Sequence, residues 1–114
     1  MLNNVVLVGR LTKDLEVKEL KDGVVVVNFT IAVQRSYKNE NGEYEADFIN
    51  CVAWNDVAKN IGEFCHKGDL LGVKGELITS SYEKDDVKHY KTEVRANRIS
   101  FLTQKKVEVK EDGE

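Results

Sequence analysis

The chain has 114 residues, of which 41% are hydrophobic and 32% charged, with two cysteines and a formal charge of −3. This composition predicts one soluble globular domain with its own core, and it excludes a disulfide framework and a membrane-spanning helix. The charge argues mildly against a nucleic-acid partner, because a phosphate backbone usually meets a basic surface. No signal-peptide pattern follows Met1, so we expect a cytoplasmic protein with buried free thiols.

The first third of the chain has the pattern of β-strands separated by turns. Residues 5–11 predict a strand, and residues 15–20 predict its continuation after a bend. The clearest strand follows at residues 24–35, after a turn that ends at Gly23. One row of this strand is continuously apolar and is the predicted core face: Val25, Val27, Phe29, Ile31 and Val33. Residues 36–47 are polar around Asn41 and Gly42, which predicts a hairpin loop.

The segment ADFINCVAWN, residues 46–55, alternates between two kinds of side chain. If this segment is an extended strand, one of its faces carries Phe48, Asn50, Val52 and Trp54. The other face carries the smaller apolar residues Ile49, Cys51 and Ala53. The small apolar row suits a tight barrel interior, which would leave both aromatic rings on the surface. The alternation alone leaves open the opposite arrangement, with the rings in the core.

The second half of the chain predicts one helix and two further strands. Asn55 can cap a helix that runs to about His66, with an apolar stripe at helical spacing: Val57, Ile61, Phe64 and Cys65. A strand is predicted at residues 70–81, where Gly72 and Gly75 would allow a sharp bend. A charged loop at residues 83–89 then leads into a last strand, residues 90–102. Five strands with one helix between strands three and four predict an all-β, OB-fold Greek-key barrel.

Five segments in this order resemble the bacterial single-stranded DNA-binding protein (SSB) family: MLNNVVLVGRLTKDLEVK, VNFTIAVQRSY, ADFINCVAWNDVAKNI, KGDLLGVKGELITSSY and YKTEVRANRISFL. The resemblance covers residues 1–104, which we assign to one OB-fold domain, and residues 105–114 form a short charged tail that we expect to be flexible. It implies a homotetramer that coats single-stranded DNA without sequence preference, without catalysis and without a cofactor. The chain resembles a short form of the family, because the usual long linker and acidic C-terminal tip are missing. Recruitment of replication or repair proteins through the tail is therefore in doubt.

The resemblance also implies a set of binding residues. The aromatic positions that stack on bases in the family correspond to Tyr37, Phe48, Trp54 and Tyr82. Cations that flank these rings, or lie in the adjacent loops, are the candidate phosphate contacts: Arg10, Arg35, Lys38, Lys59, Lys67, Lys74, Lys84 and Lys88. The family often has basic residues where this chain has Asn4, Ile78 or Ser80. We therefore expect binding to depend less steeply on salt than is usual for the family.

Other chemistry has little support in the sequence. The two histidines, His66 and His89, lie in different elements, and no spacing resembles a metal site. Cys65 and His66 are adjacent, so on a helix they point in different directions. We therefore expect a protein of the bacterial nucleoid that serves DNA replication, repair or recombination and has no enzymatic activity. An RNA-binding OB module and a primosome-type structural subunit remain open as alternatives, and a nuclease is the remotest one.

Overall fold

The computed structural model describes residues 1–102, so the predicted tail at 105–114 lies outside the described part of the chain. Six strands, one α-helix and one short 3-10 helix follow each other along this part. Their bounds are β1 Val5–Leu11, β2 Lys18–Glu19, the 3-10 helix Lys21–Gly23, β3 Val25–Lys38, β4 Tyr44–Trp54, α1 Asn55–Phe64, β5 Leu70–Lys84 and β6 Val87–Phe101.

The five long strands close into a barrel. Neighbouring strands follow the order β1-β5-β6-β4-β3, and a pairing between β1 and β3 completes the circle. All these pairings are antiparallel except that of β4 with β6, which is parallel. The two-residue β2 adds only to the outer edge of β3. The predicted five-stranded OB barrel, with its helix between the third and fourth barrel strands, is confirmed.

The barrel interior is filled by the apolar row that the alternation of β3 predicts. Val25, Val27, Phe29 and Ile31 are buried, and Cys51 and Ala53 face them from β4. β5 and β6 contribute a second group of buried residues: Leu71, Val73, Val94 and Ala96. Burial stabilises the fold by about 1.5–3 kcal/mol for each large apolar side chain of this core.

The helix covers one end of the barrel and differs from the prediction at both ends. Ala58 and Ile61 are buried against the core, and the helix ends at Phe64 instead of about His66. Asn55 does not cap the helix with its side chain. Its Oδ1 instead accepts a hydrogen bond from the backbone N of Val25 at 3.2 Å, and its φ is +53°. Asn55 therefore ties the start of the helix to β3.

Both predicted loops are shorter than expected, because the strands extend beyond the barrel as hairpins. Between β3 and β4 only residues 39–43 remain outside the strands, with Gly42 at φ +79°. Between β5 and β6 the turn consists of Asp85 and Asp86, both with positive φ. Positive φ at both central residues is typical of the two-residue hairpin turn that matches strand twist. The charged residues on either side therefore belong to strands, and the predicted loop at 83–89 was wrong in extent.

The bend expected in β5 occurs at Gly75. The register between β5 and β6 shifts between Lys74 and Gly75. A Cβ atom at Gly75 would collide with the carbonyl oxygen of Arg95 on β6, so the close approach of the two backbones requires glycine. In the described chain, 1–102, no helix is long and apolar enough to cross a membrane.

Candidate functional site

Two aromatic rings lie on the outer face of β4. Phe48 is 67% exposed and Trp54 41% exposed, whereas Cys51 and Ala53 in the alternate row are buried in the barrel. The arrangement left open by the sequence, with these two rings in the core, is therefore wrong. We call the outer face of β3 and β4 that carries Phe48 and Trp54 the aromatic face.

Strand register places a cation across the sheet from each of these rings. Arg10 of β1 pairs with Ala32 of β3, which pairs with Phe48 of β4. Paired residues share one face of a sheet, and two strand spacings are about 10 Å. Because the side chain of Ala32 is small, it leaves room between the guanidinium group of Arg10 and the ring of Phe48.

A second row of the same kind crosses the sheet at the other end of the aromatic face. Lys18 of β2 pairs with Val26 of β3, and Val26 pairs with Trp54 of β4. The two rows are six residues apart along β3, which corresponds to about 20 Å. Lys18 is exposed and was not among the predicted cations. Sequence alone could not indicate it, because its position next to Trp54 depends on two strand pairings.

Polar side chains occupy the surface between the two rings. The hydroxyl of Thr30 donates to Oδ1 of Asn50 at 3.1 Å, and Asn28 is exposed beside them on β3. These three residues line one side of a groove of about 380 Å³. Its other walls come from residues 12–16, Lys91 and Glu93. Between the two rings the aromatic face therefore carries uncharged side chains: Asn28, Thr30 and Asn50, with the buried Val52 next to Trp54 along the row.

Tyr82 lies on the hairpin of β5 and β6 and is half exposed. Its ring stacks on that of His89, directly opposite on β6, with centroids 5.2 Å apart and planes 17° apart. Val52 of β4 pairs with Arg95 of β6, and Arg95 pairs with Glu76 of β5, so the outer face of the sheet continues across these strands toward the tip of the hairpin. Tyr82 therefore shares the outer face of the sheet with Phe48 and Trp54, and its candidate cations Lys84 and Lys88 lie in the same hairpin.

Tyr37, the fourth predicted ring, is exposed near the end of β3. It lies where the pairing of β3 and β4 is irregular, between Gln34 and Lys38. Two further exposed rings were missed by the sequence reasoning, and each has a lysine over it. Lys38 Nζ lies 5.7 Å from the ring centroid of Tyr44, and Lys88 Nζ lies 5.7 Å from that of Tyr90. For Tyr90 the nearby Lys88 and Lys91 were an available signal, whereas Tyr44 stands between Glu43 and Glu45 and meets Lys38 only through the pairing of β3 with β4.

The eight predicted cations are distributed over several elements. Lys38 and Lys88 lie over exposed rings, and Arg10 lies in the row of Phe48. Arg35 and Lys84 are each two residues from a predicted ring along the chain. Arg10 also donates from Nη1 to the carbonyl oxygen of Gly68 at 3.0 Å. The remaining three lie elsewhere: Lys59 on α1, Lys67 between α1 and β5, and Lys74 on β5, where it pairs with Arg98 of β6. The structure therefore does not gather all eight into one surface.

Acidic partners offset several cations of this region. Arg95 forms an ion pair with Glu76, and Lys91 Nζ lies 3.6 Å from Glu93 Oε2. Arg35 contacts both Asp47 and Glu45. These pairs reduce the positive potential on the face beside the rings, so electrostatic attraction of phosphates would depend on the cations that lack acidic partners.

The thiols of Cys51 and Cys65 are buried and unreactive at neutral pH. Burial, with the nearby charge of Glu93, raises the pKa of Cys51 to about 12, and burial with Asp69 raises the pKa of Cys65 to about 11. A thiol with so high a pKa is a poor nucleophile at neutral pH. Among residues 1–102, no three His, Cys, Asp or Glu side chains cluster closely enough to hold a metal ion.

Comparison with known proteins finds relatives that match most of this chain. The single-stranded DNA-binding protein 2 of Listeria monocytogenes is 50% identical over 106 residues, which cover 92% of this chain and 66% of that protein. The single-stranded DNA-binding protein A of Bacillus subtilis is 50% identical over 92% of this chain and 62% of its own length. The chain thus spans just under two thirds of these relatives. Protein B of Bacillus subtilis is 46% identical, and the match covers 94% of its length.

A solved structure resembles the fold. The barrel matches the crystal structure of a deletion mutant of the single-stranded DNA binding protein from Thermus aquaticus with a TM-score of 0.74 and 28% identity, over 90% of this chain and 51% of that one. The sequence model of the Single-strand binding protein family matches residues 2–102, nearly the whole described chain. The chain therefore belongs to the single-strand binding protein family.

Proposed function

We propose that this protein binds single-stranded DNA without sequence preference and protects it during replication, repair or recombination. The observation that carries the proposal is the outward placement of Phe48 and Trp54, each in a strand row that also contains a cation. The names of the relatives support the same activity. The activity is binding, with no chemical step.

The physical basis is that all four bases have an aromatic face, whereas their hydrogen-bonding edges differ. Stacking on a side-chain ring contributes about 1–3 kcal/mol per base and tolerates any sequence. Duplex DNA keeps its base faces in its own stack, so exposed rings select unpaired strands. Tyr37, Phe48, Trp54 and Tyr82 would act as stacking platforms. Seven of the predicted cations would contact phosphates: Arg10, Lys38, Lys59, Lys67, Lys74, Lys84 and Lys88.

We further propose that the protein works as a homotetramer at nucleoid DNA in the cytoplasm. The support lies in β1, which pairs with β5 from Val5 to Arg10 but with β3 only at Arg10 and Leu11. The outer face of β1 is apolar, with Val6 71% exposed and Val8 half exposed. An apolar strand with an open edge is a common site for subunit association. Light scattering during size-exclusion chromatography would give the mass, and a monomer at micromolar concentration would contradict this part.

Tryptophan fluorescence tests the binding function directly, because Trp54 is the only tryptophan of the chain. Titration with oligo-dT should quench Trp54 emission strongly, and a matched DNA duplex should not. A primosome-type structural role predicts no quenching with either. An RNA-binding module predicts that oligo-U of equal length competes at least as well as oligo-dT. Either of these last two results would overturn the proposal.

A further inference from the structure

The pairing of β3 and β4 is interrupted beside the aromatic face. Gln34 pairs with Ala46, and the next pair along the two strands is Lys38 with Tyr44. Three residues of β3, 35–37, therefore lie against Glu45 alone on β4. Such a bulge disrupts the backbone ladder locally, so the strands need other contacts to keep their relative position.

Arg35 supplies these contacts from within the bulge. Its Nε donates to Oδ1 and Oδ2 of Asp47 at 3.2 and 3.1 Å, and its Nη2 donates to Oδ1 at 2.8 Å. Its Nη1 donates to Oε1 of Glu45 at 3.2 Å. One guanidinium group on β3 thus holds two carboxylates on β4. A planar fork of this kind fixes direction as well as distance, which a lysine cannot do.

The network continues into the loop between the two strands. Oε2 of Glu45 accepts a hydrogen bond from Nδ2 of Asn39 at 3.2 Å. Oδ1 of Asn39 accepts from the backbone N of Asn41 at 2.8 Å and of Glu43 at 3.0 Å. Arg35 is therefore connected through side chains to the fold of residues 39–43, beyond the last regular pair of the barrel.

The charge balance of this cluster is unfavourable for a phosphate. One cation faces two carboxylates, so the group of Arg35, Asp47 and Glu45 carries a net charge of −1 when all three are ionised. The hydrogen bond from Arg35 lowers the pKa of Asp47, which keeps that carboxylate charged at neutral pH. A phosphate near Arg35 would meet both carboxylates and would compete with them for the same N–H groups.

Two stacking rings flank this cluster in sequence. Tyr37 lies two residues after Arg35 on β3, and Phe48 lies one residue after Asp47 on β4. We propose that Arg35 is a positioning residue that fixes the bulge between β3 and β4, and thereby the separation of Tyr37 and Phe48, and that it does not bind DNA phosphate. This inference rests on the proposed function and deepens it.

The variant Asp47→Asn distinguishes a positioning role of Arg35 from phosphate binding, because the two roles predict opposite changes in affinity for oligo-dT. If Arg35 positions the rings, loss of the carboxylate loosens the bulge, and affinity for oligo-dT falls by about fivefold or more, comparable to the loss of one stacked base. The slope of log K against log salt then stays unchanged. If Arg35 binds phosphate, the substitution frees the guanidinium. Affinity then rises, and the slope becomes steeper by about 0.7, which would overturn the inference.

The variant Arg35→Lys tests the same point by keeping the charge and removing the fork. A positioning role predicts weaker binding at every salt concentration, whereas a phosphate contact predicts nearly wild-type affinity and slope. Arg98→Lys is the matched control, because Arg98 is exposed on β6 and is not among the residues proposed to bind DNA. We expect Arg98→Lys to retain affinity within about threefold. Equal affinities of Arg35→Lys, Arg98→Lys and wild type would also overturn the inference.

Two further measurements keep the test interpretable. Circular dichroism and thermal unfolding of Asp47→Asn should show a folded barrel, as expected for a nearly isosteric substitution of a half-exposed side chain. Wild-type protein is titrated in parallel. If the wild type does not bind oligo-dT, the proposed function itself is contradicted. If the wild type binds and Asp47→Asn binds more tightly, only the positioning role of Arg35 is contradicted.

Discussion

The ring of His89 stacks on the ring of Tyr82, with centroids 5.2 Å apart. One face of Tyr82 is therefore covered, and a base has access to a single face of this platform. We predict that Tyr82→Leu weakens binding to oligo-dT by about 1–3 kcal/mol, or about 5- to 150-fold, since leucine keeps the apolar bulk and loses the aromatic face. Fluorescence titration of Trp54 measures the change.

His89→Gln is the matched control for that substitution. It leaves Tyr82 in place on the same face of the hairpin, so we expect an affinity within about threefold of the wild type. Equal losses in Tyr82→Leu and His89→Gln would show that the stacked pair, and not the tyrosine ring alone, forms the contact.

Phe48 and Phe64 provide a matched pair of exposed phenylalanines. Phe48 lies on the aromatic face and is 67% exposed, whereas Phe64 ends α1 and is 57% exposed, with its ring against Phe101. We predict that Phe48→Leu costs about 1–3 kcal/mol of binding free energy, because the stacking face is lost. Phe64→Leu should leave oligo-dT affinity unchanged. A similar loss in both variants would mean that exposure, and not position, decides the effect.

The local alternation of side chains was enough to predict the strands of the barrel and to divide β4 into two faces, but on its own it left open which of these faces carries the rings on the surface. The core row of β3 follows directly from period two, and so does the outward placement of Phe48 and Trp54 once the barrel interior is assigned to the small residues of β4. The extents of the hairpins were underestimated, because charged and polar residues in them resemble a loop while their backbones remain paired.

The contacts that build the site depend on register between distant strands, which no local pattern contains. Arg10 reaches the row of Phe48 only through the pairing of β1 with β3, and Lys18 reaches the row of Trp54 only through β2. Arg35 is basic and adjacent to a predicted ring, so sequence indicated a phosphate contact. Its two carboxylate partners became visible only when β3 and β4 were aligned across the bulge.

The buried thiol of Cys51 predicts a specific loss of stability at alkaline pH. Its pKa is about 12 in the folded protein, compared with about 8.5 in an unfolded chain. The folded state therefore keeps a proton that the unfolded state releases. This contribution is fully present below about pH 8.5, and it declines as pH rises toward 12.

Urea unfolding at pH 8 and pH 10 measures this contribution. The free energy of unfolding of the wild type should fall between these two pH values by up to about 2 kcal/mol more than that of Cys51→Ala, which cannot ionise at this position. In the folded wild type, alkylation by iodoacetamide at pH 8 should be slow and should become rapid in urea. An identical pH dependence of wild type and Cys51→Ala would contradict the burial of a protonated thiol.

Lys18 and Trp54 share one strand row through Val26, and Lys18 is among the cations for which no acidic partner is found in the described chain. By contrast, Arg95 and Lys91 on the same side of the barrel have carboxylate partners. We therefore expect the wild type to have a salt dependence shallower than is usual for the family, and we expect Lys18 to contribute one phosphate contact to it. Lys18→Gln should reduce the magnitude of the slope of log K against log salt by about 0.7 and weaken binding most at low salt.

The control for this prediction is Lys18→Arg, which keeps the positive charge at the same register position. Its slope should equal that of the wild type, because counterion release depends on the charge and not on the shape of the donor. If Lys18→Gln also retained the wild-type slope, no phosphate would lie beside Trp54 on this side. The path of the strand would then have to leave Trp54 toward β6, where Arg95 is already paired with Glu76.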